Sequence, residues 1–433
     1  MTAEPGVVII GAGHAGGRAA ERLRFHGYDK PITLIGNEPH LPYERPPLSK
    51  AVLTAEALAE PPFLLGRDDW LRSDIAVRSS TRCLSIDRSA RTVALSCGRT
   101  LPYAHLILAT GLTQRRLAQL DGLGDRVLTL HSYDDARALR QRLGSGVRIL
   151  LIGAGFIGLE VAASARQSGA EVVVIEAADR ALARALPAKL SDWIARLHRD
   201  AAVEIHFDSK LQKAERLGDA VQITLDGGET HVGDLVLCGI GGQPNDDLAR
   251  QAGLDCSNGV RVDHHCRTSD PNIFAIGDIA CLSGPDGTAP RRLESWKNAE
   301  DTAAVAAANI CGLERVYETA PWFWTDQYGL NIQFTGDLSA SATSGKGQGE
   351  QAASLLERGS LGESGYLAYL LHDERLLGAF GIDCGRDIRR ARAILEKGGR
   401  LSAQQLMKAG FELGEGEPAV ASASRFERRI GSA

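Results

Sequence analysis

The sequence predicts an α/β protein in which two parallel-sheet units are followed by a small α+β domain. Residues 7–38 and 148–176 form a near-repeat, because each reads as a strand, a glycine turn, a small-residue helix, a second strand and a glutamate. The strands are continuous apolar, β-branched runs, as is typical of strands buried on both faces of a sheet. Glycine accounts for 48 of 433 residues, with no Gly-X-Y period and only 16 prolines. The excess therefore indicates positions where backbone rather than side chain is needed.

Length and composition exclude several classes of protein. At roughly 100–200 residues per domain, the chain predicts two to four domains. The net charge of −5 removes an electrostatic case for nucleic acid as the main partner. No apolar run approaches the roughly 20 residues of a membrane helix, and the apolar start at Val7 lacks the basic lead-in of a signal peptide. Eight scattered cysteines without a CxxC pair argue against a structural zinc site, an iron–sulfur cluster or a dithiol, so we predict no metal and a reducing cytoplasm.

The first glycine turn, GAGHAG, predicts a dinucleotide site at the start of the chain. Gly11 allows the tight turn, Gly13 lets the backbone approach a pyrophosphate, and Gly16 lets the helix pack against the strand. The helix N-terminus then faces the phosphates. Glu38, 22 residues after Gly16, can bond ribose hydroxyls. His14 occupies a variable position of the turn, where a bystander side chain is expected rather than a catalytic one.

The second glycine turn, GAGFIG, predicts a second dinucleotide site, so the fold contains two Rossmann-like dinucleotide-binding domains. Its glycines are Gly153, Gly155 and Gly158. Glu176 ends the following strand, where a carboxylate accepts both ribose hydroxyls and repels a 2′-phosphate, which favours NADH. Arg180 and Arg184 keep NADPH open as an alternative, because arginine can receive that phosphate.

The element AIGD assigns a cofactor to each unit. Asp278 lies at the carboxyl end of a strand, ahead of a helix predicted from about Glu294 to Ile310, where it can bond a ribityl hydroxyl. This pairs FAD with the first unit and leaves NADH to the second. The helix that begins at Glu294 would direct its positive end at the flavin pyrimidine. Taken by itself, a Gly-Asp turn is common in proteins and is weak evidence for a flavin site.

The remaining elements follow from local patterns. Residues 41–104 combine a proline-rich loop with short alternating segments, CLSID and TVALS, which predict antiparallel strands. From Trp322 the composition changes toward a small α+β domain, with a hairpin around the turn HDE and a helix over 387–397. We expect the Gly/Ser-rich stretch 344–365 to be flexible and residues 415–433 to form a frayed tail. Further strands are predicted at 106–111, 221–225, 234–240 and 272–278.

Six motifs together resemble the FAD-dependent, NADH-dependent ferredoxin reductases, the putidaredoxin-reductase-like proteins and the reductase components of Rieske dioxygenase systems. The resemblance covers about residues 6–400 and implies a glutathione-reductase-like fold with a split FAD domain. The implied boundaries are 1–115 (FAD), 116–245 (NADH), 246–321 (FAD) and 322–433 (C-terminal α+β domain with its tail). The motifs are PYERPPLSK (42–50), ATG (109–111), GAGFIGLE (153–160), AIGD (275–278), ESWKNA (294–299) and FWTDQY (323–328).

The resemblance implies a flavoprotein that passes electrons from NADH through FAD to a 2Fe-2S ferredoxin. That ferredoxin would feed a Rieske dioxygenase or a haem monooxygenase in aromatic hydrocarbon catabolism, from a cytoplasmic monomer or homodimer. The alternative is an NADH oxidase or a monodehydroascorbate-type reductase. A disulfide or peroxide reductase is disfavoured because PYERPPLSK contains no cysteine. A signalling flavoprotein resembling apoptosis-inducing factor is disfavoured because basic surface and targeting segments are missing.

The resemblance also implies site residues. Arg45, Pro46 and Lys50 would line the FAD, with Lys50 near the flavin N5 and Glu160 placed to meet Lys50 and the nicotinamide. Trp324 would lie close to the isoalloxazine, so that Lys50, Glu160 and Trp324 are the catalytic candidates; hydrophobic core is the alternative for both Trp324 and Trp296. Where the family has Ala-Arg-Pro-Arg after ATG, only Arg115 carries over as a flavin-phosphate contact. Further implied cofactor-binding residues are His14, Ala15, Cys83, Ala109, Thr110, Gly111, Phe156, Ile157, Arg184, Gly241, Gly277, Glu294, Ser295 and Trp296.

Two basic groups could steer an acidic ferredoxin. The first is the pair Arg291 and Arg292 ahead of ESW. The second lies on the C-terminal helix and comprises Arg386, Arg389, Arg390 and Arg392. A solvated helix face is the simpler interpretation of the second group.

Overall fold

The computed structural model describes residues 5–57, 60–283, 290–339, 353–398 and 400–408. The chain forms two compact units. The first comprises the residues up to Ala183, Ala188–Thr319 and Thr325–Gly329, and the second comprises Arg184–Pro187, Ala320–Trp324 and the residues from Leu330 onward.

The described helices and strands alternate through most of the first unit. The helices are α1 (His14–Phe25), α2 (Ala51–Thr54), α3 (Arg67–Arg72), α4 (Tyr133–Arg140), α5 (Phe156–Gln167), α6 (Ala188–Asp200), α7 (Asp247–Gln251), α8 (Trp296–Ile310), α9 (Gly385–Glu396) and α10 (Ala403–Lys408). Short 3-10 helices are Pro46–Ser49, Ala118–Arg126 and Gly277–Ile279. The strands are β1 (Gly6–Ile10), β2 (Ile32–Ile35), β3 (Ile75–Arg78), β4 (Cys83–Asp87), β5 (Thr92–Leu95), β6 (Thr100–Leu108), β7 (Leu112–Gln114), β8 (Val127–Leu128), β9 (Arg148–Ile152), β10 (Glu171–Ile175), β11 (Val203–His206), β12 (Leu211–Leu217), β13 (Ala220–Leu225), β14 (Thr230–Gly233), β15 (Leu235–Cys238), β16 (Gly242–Pro244), β17 (Cys256–Ser257), β18 (Gly259–Val262), β19 (Ile273–Ala275), β20 (Ala280–Leu282), β21 (Arg291–Arg292), β22 (Trp322–Gln327), β23 (Leu330–Gly336), β24 (Ser354–Arg358), β25 (Leu367–His372) and β26 (Arg375–Ile382).

The first sheet has the order β3-β2-β1-β6-β5-β4, with β19 also paired to β6. The strands β3, β2, β1, β6 and β19 run parallel, and all five residues of β1 are buried, as the apolar run predicts. The predicted antiparallel pairing of CLSID with TVALS is confirmed by β4 and β5. Because β6 is long, its first residues pair antiparallel with β5 while its last residues continue the parallel sheet.

The second sheet is wholly parallel, in the order β11-β10-β9-β15-β8. In its centre, β9 and β10 pair in register with Leu150 opposite Val173, and both strands are buried apart from their first residues. A three-stranded antiparallel sheet, β12-β13-β14, contributes Val221 and Ile223 to the core beneath it. The fold class predicted from the near-repeat is therefore confirmed.

Helix α8 packs against α1 in the first unit through small side chains. Ala303, Ala306 and Ala307 are fully buried, which allows the two helices to approach closely. The helix begins at Trp296 rather than at Glu294, because Ser295 is extended and its hydroxyl accepts a hydrogen bond from the Asn298 N–H at 3.1 Å. None of the described helices is both long and apolar enough to cross a membrane.

The second unit contains Trp322–Trp324 of β22 and the antiparallel strands β23, β26, β25 and β24, which pair in that order. The predicted hairpin around HDE forms, and Asp373 and Glu374 both have positive φ, as a two-residue hairpin turn requires. The expectation of flexibility across 344–365 is wrong for β24, because Leu355 and Leu356 pair with β25. Residues 344–352 and 415–433 lie outside the described residues.

Candidate active site

The first glycine turn is shaped by close backbone approach. Gly11 has φ +112°, and a Cβ there would lie 2.1 Å from the Ala109 carbonyl oxygen. A Cβ at Gly16 would lie 1.9 Å from the Gly11 carbonyl oxygen. Gly13 precedes α1 without a side-chain cap, and the first turn of the helix has no acidic residue. The N–H groups at this end are therefore available to an anionic group such as a pyrophosphate.

Glu38 is held at the end of β2 by two side chains from the PYERPPLSK loop. Its carboxylate accepts hydrogen bonds from the Tyr43 hydroxyl and from the Arg45 guanidinium, and Arg45 Nη1 also donates to Tyr43 Oη at 2.6 Å. Burial raises the pKa of Tyr43 well above its usual value, so the phenol stays protonated and donates. The charge of Glu38 is thus compensated by Arg45. Tyr43 was not predicted as a site residue, although it lies in the motif that predicted Arg45.

His14 lies within a buried ionic cluster. Its Nε2 lies 2.8 Å from Glu300 Oε1 and its Nδ1 lies 3.2 Å from Glu44 Oε2, while the Trp296 indole donates to Glu44 at 2.6 Å. Arg18 bonds both carboxylates. Burial alone would lower the pKa of His14, but the hydrogen bonds to Glu300 and Glu44 outweigh it and raise that pKa. His14 is therefore an anchoring residue that ties α1 to α8, not a bystander.

Asp278 stands in the 3-10 turn that follows β19. Gly277 has φ +68° there, and a Cβ on it would lie 2.9 Å from the Ala15 Cβ, which places this turn beside the start of α1. Burial, followed by the charge of Glu294, raises the pKa of the Asp278 carboxyl to about 7. No described residue donates a hydrogen bond to this carboxyl, so it is available to a ligand hydroxyl.

The ATG segment directly follows β6, and Cys83 is the first residue of β4. Gly111 has φ +62°, and Thr110 is bonded on both its hydroxyl and carbonyl by Asn245. Cys83 begins β4, just after Thr81, whose N–H donates to the Gly36 carbonyl ahead of Glu38. Burial raises the pKa of the Cys83 thiol to about 11, which leaves it unreactive.

The second glycine turn repeats the close contacts of the first. A Cβ at Gly153 would lie 2.7 Å from the Gly239 carbonyl oxygen, and one at Gly158 would lie 2.3 Å from that of Gly153. A Cβ at Gly155 would meet nothing within 4 Å. Helix α5 begins at Phe156, beside the exposed Ile157. The space over Gly155 is open for a ligand to approach the backbone.

Glu176 is held by backbone rather than by side chains. Its Oε2 accepts from the Ala154 N–H at 2.6 Å, and its Oε1 accepts from the Ala178 N–H at 2.8 Å. Arg180 is engaged by Asp179 at 2.9 Å and by the Ala183 carbonyl, and Arg184 belongs to the second unit. Within the first unit, Arg180 is therefore paired with groups other than Glu176, whose carboxylate is held by backbone N–H groups, and this favours NADH.

Arg115 is exposed beside the two-stranded ladder of β7 and β16. Its N–H donates to the Gly241 carbonyl at 2.9 Å and its Nε donates to the Gly242 carbonyl at 3.2 Å. Gly241 has φ +88° and open space where a Cβ would be. The contact of Arg115 with a flavin phosphate stays a prediction.

Lys50 and Glu160 meet in the first unit. Lys50 Nζ lies 2.8 Å from Glu160 Oε1, and the Glu160 side chain is only 2% exposed. Glu160 also accepts from the hydroxyls of Ser49 and Thr325, the latter at 2.7 Å. Lys50 follows the 3-10 helix that begins at Pro46, and Glu160 lies two residues after Gly158 on α5. The structure thus joins the PYERPPLSK loop directly to the second glycine turn.

A line of buried hydrogen bonds continues from Glu160 beyond the predicted site. Gln327 Nε2 donates to Thr325 Oγ1 at 2.9 Å, and Gln327 Oε1 lies 2.7 Å from His198 Nε2. Burial lowers the pKa of His198 to about 4, so the imidazole is neutral and donates from Nε2. Thr325 and Gln327 stand in the motif FWTDQY but were not predicted, whereas His198 had no sequence signal.

Trp324 and the basic residues differ in their burial and in their contacts. Trp324 belongs to the second unit, where it stacks on Trp322 with ring centroids 5.1 Å apart. Arg291 is exposed, but Arg292 is nearly buried, pairs with Glu294 at 2.8 Å and donates to the Asp278 carbonyl. On α9, Arg386 and Arg389 are exposed, and Arg390 and Arg392 are half-buried. Arg292 is therefore not part of a free basic surface.

Two glycine turns of this kind on two parallel sheets define a flavoprotein reductase with two dinucleotide sites. A family model described as pyridine nucleotide-disulphide oxidoreductase matches residues 5–303, and one described as reductase C-terminal matches residues 322–415. The chain belongs to the pyridine nucleotide-disulphide oxidoreductase family. This membership implies FAD and NADH, and the two turns, Glu38, Glu176 and Asp278 provide groups that fit them.

Similar proteins cover nearly the whole chain. The anthranilate 1,2-dioxygenase system ferredoxin–NAD(+) reductase component of Burkholderia cepacia is 41% identical over 94% of this chain and 97% of its own length. The 3-phenylpropionate/cinnamic acid dioxygenase ferredoxin–NAD(+) reductase component of Photorhabdus laumondii is 38% identical over 90% of this chain and 95% of its own length. A chain in the crystal structure of the covalent putidaredoxin reductase–putidaredoxin complex superposes with a TM-score of 0.86 at 33% identity, covering 94% of this chain and 96% of that one.

Proposed function

We propose that the protein is a ferredoxin–NAD(+) reductase that passes electrons from NADH through FAD to a 2Fe-2S ferredoxin serving an oxygenase. The oxygenase is a Rieske dioxygenase or a haem monooxygenase. The observation that carries the proposal is the buried Glu160, which joins the loop of the first dinucleotide site to the helix of the second through Lys50. The names of the two relatives described above, both more than 35% identical, support the same activity.

The chain's own residues bind and orient. The N–H groups at the start of α1 receive a pyrophosphate, Glu38 receives ribose hydroxyls, and Asp278 accepts a ribityl hydroxyl. Glu176 receives the ribose hydroxyls of NADH. Bound FAD and NADH supply the redox chemistry, in which two electrons enter as a hydride and leave singly.

Glu160 and Lys50 form the rigid element between the two sites. An unpaired carboxylate at 2% exposure would be costly, and Lys50, Ser49 and Thr325 together provide its partners and hold it in one orientation. The neutral His198 fixes Gln327, which in turn orients the Thr325 hydroxyl toward Glu160. The Lys50 ammonium is therefore presented in a defined position between the turns.

The cysteines argue against thiol chemistry. All eight are free, and none lies in the PYERPPLSK loop. Burial raises the pKa of the Cys238 and Cys266 thiols, so these sulfurs are poor nucleophiles. Free thiols also support our placement of the protein in a reducing cytoplasm.

We also propose the domain boundaries 1–115, 116–245, 246–321 and 322–433. The pairing of β19 with β6 supports them, because it returns residues 246–321 to the sheet formed by the first 115 residues.

The proposal is tested by NADH-dependent cytochrome c reduction with and without a 2Fe-2S ferredoxin from a dioxygenase system. We expect the rate to rise many-fold with the ferredoxin and to stay at the background level with the same ferredoxin lacking its cluster. Oxygen uptake is measured in parallel. NADH oxidation that is equally fast without ferredoxin, with matching oxygen uptake, would instead identify an NADH oxidase. Fast reduction of monodehydroascorbate would identify the other alternative.

A further inference from the structure

Two glutamates and two histidines converge where the edge strand β11 of the second sheet approaches β14. Glu204 and His206 are alternate residues of the edge strand β11, so both side chains project from one face. Glu229 immediately precedes β14, and His231 is its second residue. The four side chains can present one ligand atom each with all four atoms within 4.8 Å of one another.

The spacing of these atoms resembles a tetrahedral metal site. His231 Nε2 lies 3.4 Å from Glu229 Oε1, His206 Nδ1 lies 3.6 Å from Glu229 Oε2, and His231 Nδ1 lies 3.7 Å from Glu204 Oε1. Ligands about 2.1 Å from a tetrahedral zinc ion are separated by roughly 3.4 Å. The donor set needs little movement to enclose an ion.

His231 supplies an independent indication of a ligand. Its side chain is 5% exposed, and its Nε2 makes no hydrogen bond of good geometry among the described residues, although Glu229 Oε1 lies 3.4 Å away. A buried polar atom without a partner is unfavourable by about 1–3 kcal/mol and is uncommon in native structures. The imidazole rings of His206 and His231 are arranged edge to face with centroids 4.4 Å apart. A cation between the rings and the carboxylates would satisfy this nitrogen.

We propose that Glu204, His206, Glu229 and His231 bind a divalent transition-metal ion, with zinc as the preferred ion. Two imidazoles and two carboxylates form a borderline nitrogen–oxygen set that suits Zn²⁺ and excludes the hard ions Ca²⁺ and Mg²⁺. Arg148 Nη2 lies 3.0 Å from Glu204 Oε2, whereas Glu204 Oε1 lies 2.7 Å from His206 Nε2 and 3.7 Å from His231 Nδ1, so this oxygen already joins the two histidines. The expectation of no metal site came from the cysteines and overlooked the repeated pattern Glu-x-His at 204–206 and 229–231.

The ion would be structural. It would tie the edge strand β11 of the parallel sheet to β14 of the antiparallel sheet, which the chain otherwise joins through non-covalent packing. The His206 carbonyl accepts the Glu176 N–H at 2.9 Å, so the strand that carries a ligand also supports the acid of the second dinucleotide site. An ion that binds the folded but not the unfolded chain stabilises it by an amount that rises with the logarithm of the ion concentration above the Kd.

The test is a zinc titration of the FAD-loaded full chain, free of any affinity tag and stripped with a chelator. We expect one zinc ion per chain by calorimetry and a thermal unfolding midpoint that rises with zinc concentration. His231→Asn should lower zinc affinity at least about tenfold, since even the loss of a residue behind a ligand has an effect of that order. Ca²⁺ at the same concentrations should change neither readout.

A second variant and a control keep the test decisive. Glu229 is largely exposed, so the Glu229→Gln variant should fold even if the His231→Asn variant does not. It should also bind zinc more weakly. His372→Asn is the matched control, because His372 faces a single carboxylate, that of Asp373 at 3.6 Å. Zinc binding that survives both cluster variants, or that falls equally in the control, would overturn the proposal, as would the absence of any saturable binding.

Discussion

The two glycine turns share one backbone geometry but hold their acids in different ways. Gly11 and Gly153 both have φ near +110°, and both sit against a carbonyl oxygen of a neighbouring strand end. At the first turn, Glu38 is bonded by Tyr43 and Arg45, which come from a separate loop. At the second turn, Glu176 is bonded only by nearby backbone N–H groups among the described residues.

The difference indicates two kinds of occupancy. Side chains from the PYERPPLSK loop, α8 and the Asp278 turn converge on the first site, as expected for a resident cofactor. The second site is framed mainly by backbone, with open space over Gly155, as expected for a nucleotide that enters and leaves in each turnover. The local motif therefore specifies where a dinucleotide binds, and the surrounding side chains specify how long it stays.

The largest expected difference between the two turns comes from adding the same methyl group at Gly11, where a Cβ would meet a carbonyl oxygen, and at Gly155, where it would meet nothing within 4 Å. Gly11→Ala should destabilise the protein by about 3 kcal/mol or more and abolish FAD retention, because φ +112° and the Ala109 carbonyl oppose the Cβ. Gly155→Ala should keep its FAD and raise only the KM for NADH. For both variants, flavin absorbance per chain after gel filtration measures FAD retention, and urea unfolding measures stability. Stoichiometric FAD in Gly11→Ala would contradict the argument.

The link between the two sites is tested at Lys50. Lys50→Ala leaves Glu160 buried without its cation and should slow flavin reduction by NADH roughly tenfold to a hundredfold through misplacement. Stopped-flow absorbance under anaerobic conditions gives the rate. Lys213→Ala is the control, because Lys213 is an exposed partner of Glu215. A rate equal to that of the control would show that the lysine has no part in positioning.

Substitutions of Glu176 and Glu38 should have different effects, the first on the preference for NADH over NADPH and the second on the retention of FAD. Glu176→Ala should lower kcat/KM for NADH about tenfold to a hundredfold, the value of a charge-assisted hydrogen bond, and should affect NADPH less. Glu38→Ala should instead loosen FAD without changing the preference between NADH and NADPH. Steady-state kinetics with both nucleotides, on FAD-replete protein, distinguishes the two. Equal losses for NADH and NADPH in Glu176→Ala would remove its role in selectivity.

Asp278 should make the stability of the FAD-free protein depend on pH. The unfolded chain releases this proton near the ordinary carboxyl pKa of 3.8, whereas the folded chain holds it to a pKa of about 7. The free energy of unfolding therefore falls as pH rises through this window, and the loss is complete above it. Glu294 reinforces the effect, and Arg292, His14 and Arg45 oppose it.

The matched variant is Asp278→Asn, which carries no charge at any pH. Urea unfolding should show a flatter dependence between pH 4 and pH 7 and a more stable variant at pH 8. Parallel curves for the two proteins would show that this carboxyl is already ionised at low pH.

The smallest expected effect is on the apparent KM for ferredoxin, the partner to which the electrons are passed. Arg291→Glu should raise the apparent KM for ferredoxin by roughly threefold at low salt, as a rim charge does, and leave the KM for NADH unchanged. Arg389→Glu on α9 tests the competing basic group. If only Arg389→Glu raises the KM, docking belongs to the C-terminal unit. If neither variant does, neither basic group steers the ferredoxin.

Much of the fold was predictable because it depends on short-range patterns. Continuous apolar runs predicted β1, β9 and β10, and alternation predicted β4 and β5. The start of α8 was misplaced by two residues because Ser295, not Glu294, caps it. Strand β24 was missed because glycines and serines around Leu355 and Leu356 masked a short edge strand whose partner lies further along the chain.

The sequence by itself determined the two glycine turns, because Gly16 and Gly158 each approach the carbonyl of a glycine only five positions earlier. Tertiary structure decided which distant charges meet. Lys50 meets Glu160, and two Glu-x-His pairs meet across two sheets, through strand order and loop path rather than local spacing. Short-range sterics can be read from a motif, whereas the pairing of buried charges depends on the arrangement of the whole sheet.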